Sequence, residues 1–259
     1  MSDRIAKAFD HGKAFIPFIT GGDTSLEVTR QLLIAMEEAG ADLIEIGLPF
    51  SDPIAEGVVI QQANERALAA GCTTDKLFDM VKEARKNVEI PLVILTYINP
   101  IFTYGKEKFM KRCEECGIDG LIVPDLPLEE KGEIQQVCRE YGISIISLIA
   151  PTSKERIKAI AREAEGFIYV ISSLGVTGVR KEITTDVAEM TDMVRQVTDV
   201  PCAVGFGIST PEQAEYMASV SDGAIVGSAI VRLIEQYGEE CVPVVSDYVR
   251  KMKAAVKRA

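Results

Sequence analysis

The sequence predicts a single (β/α)8 barrel, the TIM-barrel fold class, with a short helix before the first strand and an extra helix after the eighth. Its 259 residues, of which 47% are hydrophobic, match the roughly 250 residues that one such barrel needs. Short apolar runs alternate with helical patterns along the chain. No segment rich in proline, glycine or serine interrupts this alternation, so we expect residues 1–259 to form one domain.

Eight short, nearly continuous apolar runs are the predicted strands. They lie at 15–19, 42–46, 92–95, 121–123, 144–148, 167–171, 202–204 and 224–226. Parallel strands that are buried on both faces have this composition. Several runs follow a glycine suited to a left-handed helix C-terminus, namely Gly40, Gly117, Gly142, Gly166 and Gly223. An open, doubly wound sheet is the structural alternative, and the strand number and chain length favour closure.

Helix start signals support this division. Capping boxes are predicted for Thr24 with Glu27, Thr152 with Glu155 and Thr210 with Gln213. Residues 1–8 predict a short polar helix, not a secretion signal, and no apolar run approaches the ~20 residues of a membrane span. The formal net charge of −11 gives no sequence-wide basic surface for nucleic acid or anionic lipid. We therefore expect a cytoplasmic protein without nucleic-acid or membrane partners.

The composition also argues against metal and thiol chemistry. Cys113 and Cys116 are three positions apart in the last turn of a predicted helix, which favours buried thiols over a metal or redox site. His11 is the single histidine, so a His-rich metal centre, a Ser-His-Asp triad and a Cys-His pair are nearly excluded. The chemistry must rest on carboxylates, hydroxyls and backbone groups, and no bound metal is expected.

The second strand carries the most informative side chain. Strand alternation places Ile44 and Ile46 on one side and Glu45 on the other, so we expect Glu45 to point into the barrel mouth, where the active residues of this fold lie. Burial raises the pKa of an unpaired carboxyl toward the range useful for general acid–base catalysis. A buried ion pair is the alternative, but no arginine or lysine marks another strand end.

The loop at residues 48–57 is longer than a typical connection between strand and helix. Its carboxylates, Asp52 and Glu56, are either solvated charges or partners of Glu45. Their expected place over the barrel mouth favours an acid–base or electrostatic role for at least one of them.

Glycines after the last two strands predict a phosphate site. Gly207 follows the seventh strand, and Gly227 and Ser228 follow the eighth. In this fold the corresponding loops and the N-terminus of an extra helix, here beginning at Ser228, commonly bind phosphate. Glycines needed only for tight turns are the alternative. After the sixth strand, Gly175 and Thr177 lie in a segment with the composition of a mobile lid or of a disordered surface loop.

Residues 45–53, Glu-Ile-Gly-Leu-Pro-Phe-Ser-Asp-Pro, followed by Gly57 and Ile60-Gln61, resemble the signature segment of the tryptophan synthase α subunit family. Further matching segments, which cover the chain in order, begin at Phe15, Thr96, Pro124, Gly175, Gly205 and Gly227. The resemblance implies a lyase that cleaves indole-3-glycerol phosphate into indole and glyceraldehyde 3-phosphate without a cofactor in this chain. It also implies an α2β2 assembly with a pyridoxal-phosphate-dependent β subunit, which Asp52 and Pro53 would contact.

The resemblance assigns roles to single residues. Glu45 matches the general acid and base of the family, and Glu56 stands at the position of a second catalytic carboxylate that is normally an aspartate. The implied indole pocket consists of Phe18, Tyr97, Ile122, Tyr169 and Phe206, and the implied phosphate site of Gly178, Gly207, Gly227 and Ser228. Val58 stands where a proline is expected, and Ser173 where some members have arginine.

Other functions remain open at this point. A lysine-dependent phosphosugar aldolase needs a lysine at a strand end, and none of the predicted strands ends in one. A phosphosugar isomerase or lyase of the phosphate-binding barrel type would leave the long loop at 48–57 unexplained. A weakly active allosteric subunit, which mainly activates a β chain, is a third hypothesis.

Overall fold

The computed structural model describes residues 3–171, 183–205 and 207–259, and eight parallel strands close into a barrel in chain order. The strands are β1 (Ala14–Thr20), β2 (Ile44–Gly47), β3 (Leu92–Leu95), β4 (Gly120–Ile122), β5 (Ser144–Ile149), β6 (Ile168–Ile171), β7 (Cys202–Gly205) and β8 (Gly223–Val226). Each pairs in parallel with its neighbours in sequence, and β8 pairs with β1. Closure confirms the predicted barrel and excludes the open, doubly wound sheet.

Helices precede, separate and follow these strands. The short α1 (Asp3–Lys7) comes before β1. The helices that follow are α2 (Leu26–Glu38), α3 (Val58–Ala69), α4 (Thr74–Ala84), α5 (Ile98–Tyr104), α6 (Lys106–Cys116), α7 (Gly132–Glu140), α8 (Lys154–Arg162), α9 (Ile183–Arg195), α10 (Pro211–Ser219), α11 (Ser228–Tyr237) and α12 (Cys241–Val256). As predicted, the extra helix after β8 begins at Ser228. Within the described ranges, no helix is both long and apolar enough to cross a membrane.

Strand alternation divides the core into two layers. Leu43 belongs to the cluster inside the barrel, whereas Ile44 and Ile46 belong to the cluster between the strands and the surrounding helices. Ile5 of α1 is fully buried and closes the end of the barrel at which the strands begin, where it approaches Gly120 and Gly166. The open mouth is therefore at the opposite end, where the strands finish.

A repeated aspartate contact ties neighbouring strands together at the closed end. In each instance an aspartate just before a strand accepts a hydrogen bond from the backbone N–H of a residue near the start of the preceding strand, at 2.7 to 3.0 Å. The pairs are Asp42 with Phe15, Asp119 with Leu92, and Asp222 with Cys202. The N–H of each aspartate also donates to the carbonyl of the same partner. These contacts fix strand starts far from the mouth, so their effect is on stability.

Two of the predicted helix starts are displaced by one residue. Thr24 adopts a positive φ of 68°, so Ser25 caps α2 instead, and its Oγ accepts from the N–H of Val28. Ser153, not Thr152, caps α8 because its hydroxyl accepts the N–H of Arg156. The capping box at Thr210 is confirmed.

One predicted glycine role is wrong. Gly40, Gly117, Gly142 and Gly166 have positive φ as expected at helix ends. Gly223 instead begins β8 without a positive φ, and a Cβ there would lie 2.7 Å from the carbonyl oxygen of Ala14. Close approach of two strands, not a left-handed turn, therefore requires glycine at this position.

Candidate active site

Glu45 is the second of the four residues of β2 and lies on the side that faces the barrel interior. It is paired in register with Phe18 of β1 and Val93 of β3, so hydrogen-bonded strands on both sides fix its backbone. Only 2% of the residue is exposed. Among the described residues no lysine or arginine forms a salt bridge with it, which removes the ion-pair alternative for this part of the chain.

Burial dominates the electrostatics of Glu45. Desolvation, and secondly the charge of Glu56, raise the pKa of Glu45 from 4.5 to about 8. The carboxyl group therefore holds its proton at neutral pH and can act as a general acid; after losing the proton it can act as a base. Tyr169 on β6 is also buried, and desolvation followed by the charge of Glu45 raises its pKa well above the ordinary value.

Glu56 lies in the loop between β2 and α3, and several groups hold it. Its Oε2 accepts a hydrogen bond of 2.6 Å from Nδ2 of Asn64, and its backbone carbonyl accepts one of 2.8 Å from Nε2 of Gln61. Burial raises the pKa of Glu56, while hydrogen bonds from Asn64 and Tyr97 oppose that rise by favouring the ionised form. The loop thus presents a second carboxylate close enough to Glu45 to influence its protonation.

Aromatic side chains surround the two carboxyl groups. Tyr97 is 2% exposed, and its hydroxyl accepts a hydrogen bond of 3.1 Å from the N–H of Ala55. The centroid of its ring lies 5.4 Å from that of Phe50. The hydroxyl of Tyr169 lies against Gly205, where a side chain would collide with the tyrosine ring. Ile122 lies with Tyr169 in the interior cluster. Phe206, the remaining residue of the expected indole pocket, lies outside the described residues.

The expected phosphate residues lie at the start of α11 and after β7. Gly227 is half-buried and precedes α11, while Ser228 and Gly207 are exposed. No side chain caps the N-terminus of α11, and its first turn contains no acidic residue, so its first N–H groups can donate to an anion. A Cβ on Gly227 would lie 3.3 Å from Cδ1 of Phe18. Gly175, Thr177 and Gly178 lie outside the described residues.

Phe18 connects the two ends of this site. Its ring lies beside Gly227 at one side and beside Gly47 at the other. A Cβ on Gly47 would be 2.8 Å from Cζ of Phe18. It packs in one cluster with Ala63 of α3 and Val231 of α11. The side chain expected to line the indole pocket thus fills the space between the helix that follows Glu56 and the helix that starts at the phosphate residues.

The loop residues expected at a partner surface are at least partly accessible. Asp52 is exposed and accepts a hydrogen bond from the hydroxyl of Ser51, and Pro53 is half-buried. Ile54 and Val58 are 78% and 63% exposed, although both are large and apolar.

The described ranges give little support to catalysis by a lysine, a thiol or a metal ion. The two lysines buried there donate elsewhere: Lys131 to the carbonyl of Glu163, and Lys253 to Asp42 at the closed end of the barrel. All six cysteines are buried thiols, which confirms the expectation for Cys113 and Cys116. No described group of His, Cys, Asp and Glu side chains is arranged to hold a metal ion.

Asn64, which donates to Glu56, is a site residue that the sequence pattern did not predict. It is 3% exposed on the same helix face as the buried Ala63 and Ala67. A polar residue in an otherwise small and apolar stripe is the signal that was available, but the sequence does not reveal that its partner is the carboxylate eight positions earlier.

Similarity to known proteins agrees with this geometry. The family model described as tryptophan synthase alpha chain matches residues 6–257. The tryptophan synthase alpha chains of Lacticaseibacillus casei and Lactiplantibacillus plantarum are 45% and 48% identical to this chain, over 99% and 96% of it and 96% and 94% of their own length. The crystal structure of tryptophan synthase subunit alpha from Legionella pneumophila is similar with a TM-score of 0.90 and 35% identity, covering 99% of both chains. A chain of tryptophan synthase from M. tuberculosis has a TM-score of 0.88 and 29% identity, covering 98% of both.

Proposed function

The chain belongs to the tryptophan synthase alpha chain family and cleaves indole-3-glycerol phosphate to indole and glyceraldehyde 3-phosphate, and we propose that Glu45 and Glu56 carry out this reaction. The observation that supports these roles is the contrast between a fully buried carboxyl with a pKa of about 8 and a neighbouring carboxylate held by hydrogen-bond donors. The chain needs no cofactor of its own, since pyridoxal phosphate is carried by the β subunit of this family.

In the proposed mechanism, protonated Glu45 donates its proton to C3 of the indole ring. The ring becomes a cation, and the carboxylate of Glu56 stabilises the positive charge at N1–H. The ionised Glu45 then accepts the proton of the side-chain hydroxyl next to the ring. As that oxygen forms the aldehyde carbonyl, the carbon–carbon bond breaks and its electron pair returns to the ring, so Glu45 ends with one proton as it began.

The phosphate group would bind at the N-terminus of α11. The free N–H groups after Gly227, the hydroxyl of Ser228 and the backbone at Gly207 would supply neutral donors, and the helix dipole favours an anion there. Phe18, Tyr97 and Tyr169 would enclose the indole ring, with Ile122 beneath them. The unbroken ring of strands around this site also supports our proposal that residues 1–259 form one domain.

Replacing Glu45 with glutamine tests the catalytic assignment, because the amide keeps the shape and removes the proton exchange. We expect indole release by the isolated chain to fall by ~10²-fold or more, with binding of glycerol 3-phosphate unchanged. Glu83→Gln, which alters an exposed carboxylate of α4 paired with Lys86 just beyond the end of that helix, is the matched control. Retention of more than about a tenth of the turnover would refute the role of Glu45.

We further propose an α2β2 assembly in which the loop around Asp52 and Pro53 contacts the β subunit and indole passes directly between the two sites. The exposed Ile54 and Val58 on either side of Glu56 support a protein partner here, because association would bury their apolar surface. Asp52→Ala should weaken the mutual activation of the subunits more than it changes the stability of the isolated chain. Equal activation by wild-type and variant chains at matched occupancy would argue against this interface.

The same pair of assays distinguishes an active enzyme from an allosteric subunit with little activity of its own. Indole release by the isolated chain measures catalysis, and stimulation of a tryptophan synthase β subunit measures activation. The buried, protonated Glu45 favours the first, since activation of a partner does not require a carboxyl group inside the barrel.

A further inference from the structure

We propose that Arg66 is a positioning residue that sets the spacing between the acid–base end and the phosphate end of the active site. The inference rests on the proposed placement of the substrate between Glu56 and the start of α11. Arg66 itself reaches neither end. It acts through the two helices that carry them.

One guanidinium group joins three elements. Arg66 lies in the last turn of α3, and its Nε and Nη2 donate to the two carboxylate oxygens of Asp23 at 2.8 and 2.9 Å. Its Nη1 donates to Oε1 of Glu235 at 2.9 Å. Asp23 belongs to the connection between β1 and α2, and Glu235 to the last turn of α11. Through Arg66, α3 and α11 are both attached to the connection that follows β1.

The carboxylate that Arg66 holds with two bonds is buried. Asp23 is 1% exposed, so its carboxylate is desolvated and depends on the bidentate contact. The hydrogen bonds that Arg66 donates to Asp23 raise the pKa of Arg66, which therefore stays charged. Lysine cannot reproduce two parallel bonds to one carboxylate and a third to another, because its ammonium group is a point charge.

Both joined helices begin at the mouth of the barrel. The start of α3 follows Glu56, and its side chains Gln61 and Asn64 hold the backbone and the carboxylate of that residue. The start of α11 bears the proposed phosphate donors. No side chain caps either N-terminus. Contacts at the far ends of these helices therefore help to determine where their mouth ends lie.

A substrate with an indole ring at one end and a phosphate at the other must match the distance between these two starts. A shift of α3 relative to α11 would leave each half-site intact and misplace one end of a bound substrate. Misplacements of about 1 Å can cost on the order of 10²-fold in rate. The expected signature is a loss for ligands that span both half-sites and no loss for ligands that occupy only one.

The test compares Arg66→Lys and Arg66→Met with the wild-type full-length chain. Arg139→Lys is the matched control, because Arg139 also joins two elements through a carboxylate, that of Glu165, but does so away from the mouth. The kinetic constants kcat and KM are measured for indole-3-glycerol phosphate. Dissociation constants are measured for indole, for glycerol 3-phosphate and for indole-3-propanol phosphate, a non-cleavable compound that spans both half-sites.

We expect Arg66→Met to lower kcat/KM and the affinity for indole-3-propanol phosphate by about tenfold or more. Arg66→Lys should have an intermediate effect, while indole and glycerol 3-phosphate each bind within about twofold of wild type. Parallel weakening of the single-end ligands would overturn the proposal, because the guanidinium would then only support the fold. Unchanged kcat/KM and analogue affinity in Arg66→Lys and Arg66→Met would overturn it equally.

If Arg66→Met does not fold, Arg66→Lys and Glu235→Gln decide the matter. Glu235 is 45% exposed, and its replacement removes one bond without disturbing the buried Asp23. Weaker binding of indole-3-propanol phosphate, with unchanged binding of indole and glycerol 3-phosphate, supports the proposal. If both variants bind indole-3-propanol phosphate as tightly as the wild type, the proposal is overturned. Binding of the analogue involves no chemistry, so this result is independent of the catalytic roles that Glu45→Gln tests.

Discussion

Replacing Glu45 with glutamine should stabilise the folded chain at neutral pH while removing catalysis. Burial, and then the charge of Glu56, raise the pKa of Glu45 from 4.5 to about 8. The unfolded chain releases this proton near pH 4.5, whereas the folded chain keeps it until about pH 8. Stability that is fully present below pH 4.5 is therefore lost as the pH rises to about 8. At ~1.36 kcal/mol per pH unit, this loss has an upper limit of roughly 5 kcal/mol.

The measurement is the free energy of unfolding in urea at pH 5, 6, 7 and 8 for the wild-type chain and for Glu45→Gln. The amide does not titrate, so the difference in favour of the variant should grow steadily over this range. Glu83→Gln, an exposed control, should show no such growth. A constant difference between Glu45→Gln and wild type from pH 5 to 8 would refute the claim that the folded chain desolvates this carboxyl.

Three further predictions concern the rest of the site and the closed end. Gly227→Val should raise KM steeply, as measured in steady-state cleavage assays, because the new side chain enters the space between Phe18 and the proposed phosphate donors. Glu56→Asp should lower turnover by about tenfold or more, since the shorter side chain withdraws from the amide of Asn64; a tenfold gain would instead indicate an impaired wild-type site. Asp119→Ala should cost about 3 kcal/mol or more in the free energy of unfolding without changing KM, because it breaks a buried ion pair far from the mouth.

The apolar runs between helical patterns were sufficient to locate the strands, and the alternation of side chains along β2 was sufficient to orient Glu45. Each strand is short, apolar and buried on both faces, so a polar side chain inside such a run stands out, and strand geometry determines which way it points. The position of α11 was likewise predictable, because a glycine and a serine directly follow the last apolar run.

Contacts between distant segments were not predictable in this way. Arg66 meets Asp23 across 43 positions and Glu235 across 169, and nothing in the local pattern around any of them indicates the others. The predicted caps of α2 and α8 were wrong by one residue for a more local reason. At residues 24–25 two adjacent hydroxyl side chains both suit a helix cap, and the backbone turn before α2 decided which one was used.

The two carboxyl groups differ because of the elements that carry them, and the difference couples their roles. Glu45 is fixed on a strand among apolar neighbours, so its protonated form is favoured. Burial raises the pKa of Glu56 as well, but in its loop an amide and a phenol donate to the ionised form and oppose that rise. The charge of Glu56 also raises the pKa of Glu45, which keeps the proton available before the reaction. In the proposed mechanism, positive charge develops on the indole ring beside Glu56 and offsets that negative charge. The pKa of Glu45 should then fall at the moment when it must exist as the carboxylate that accepts the hydroxyl proton.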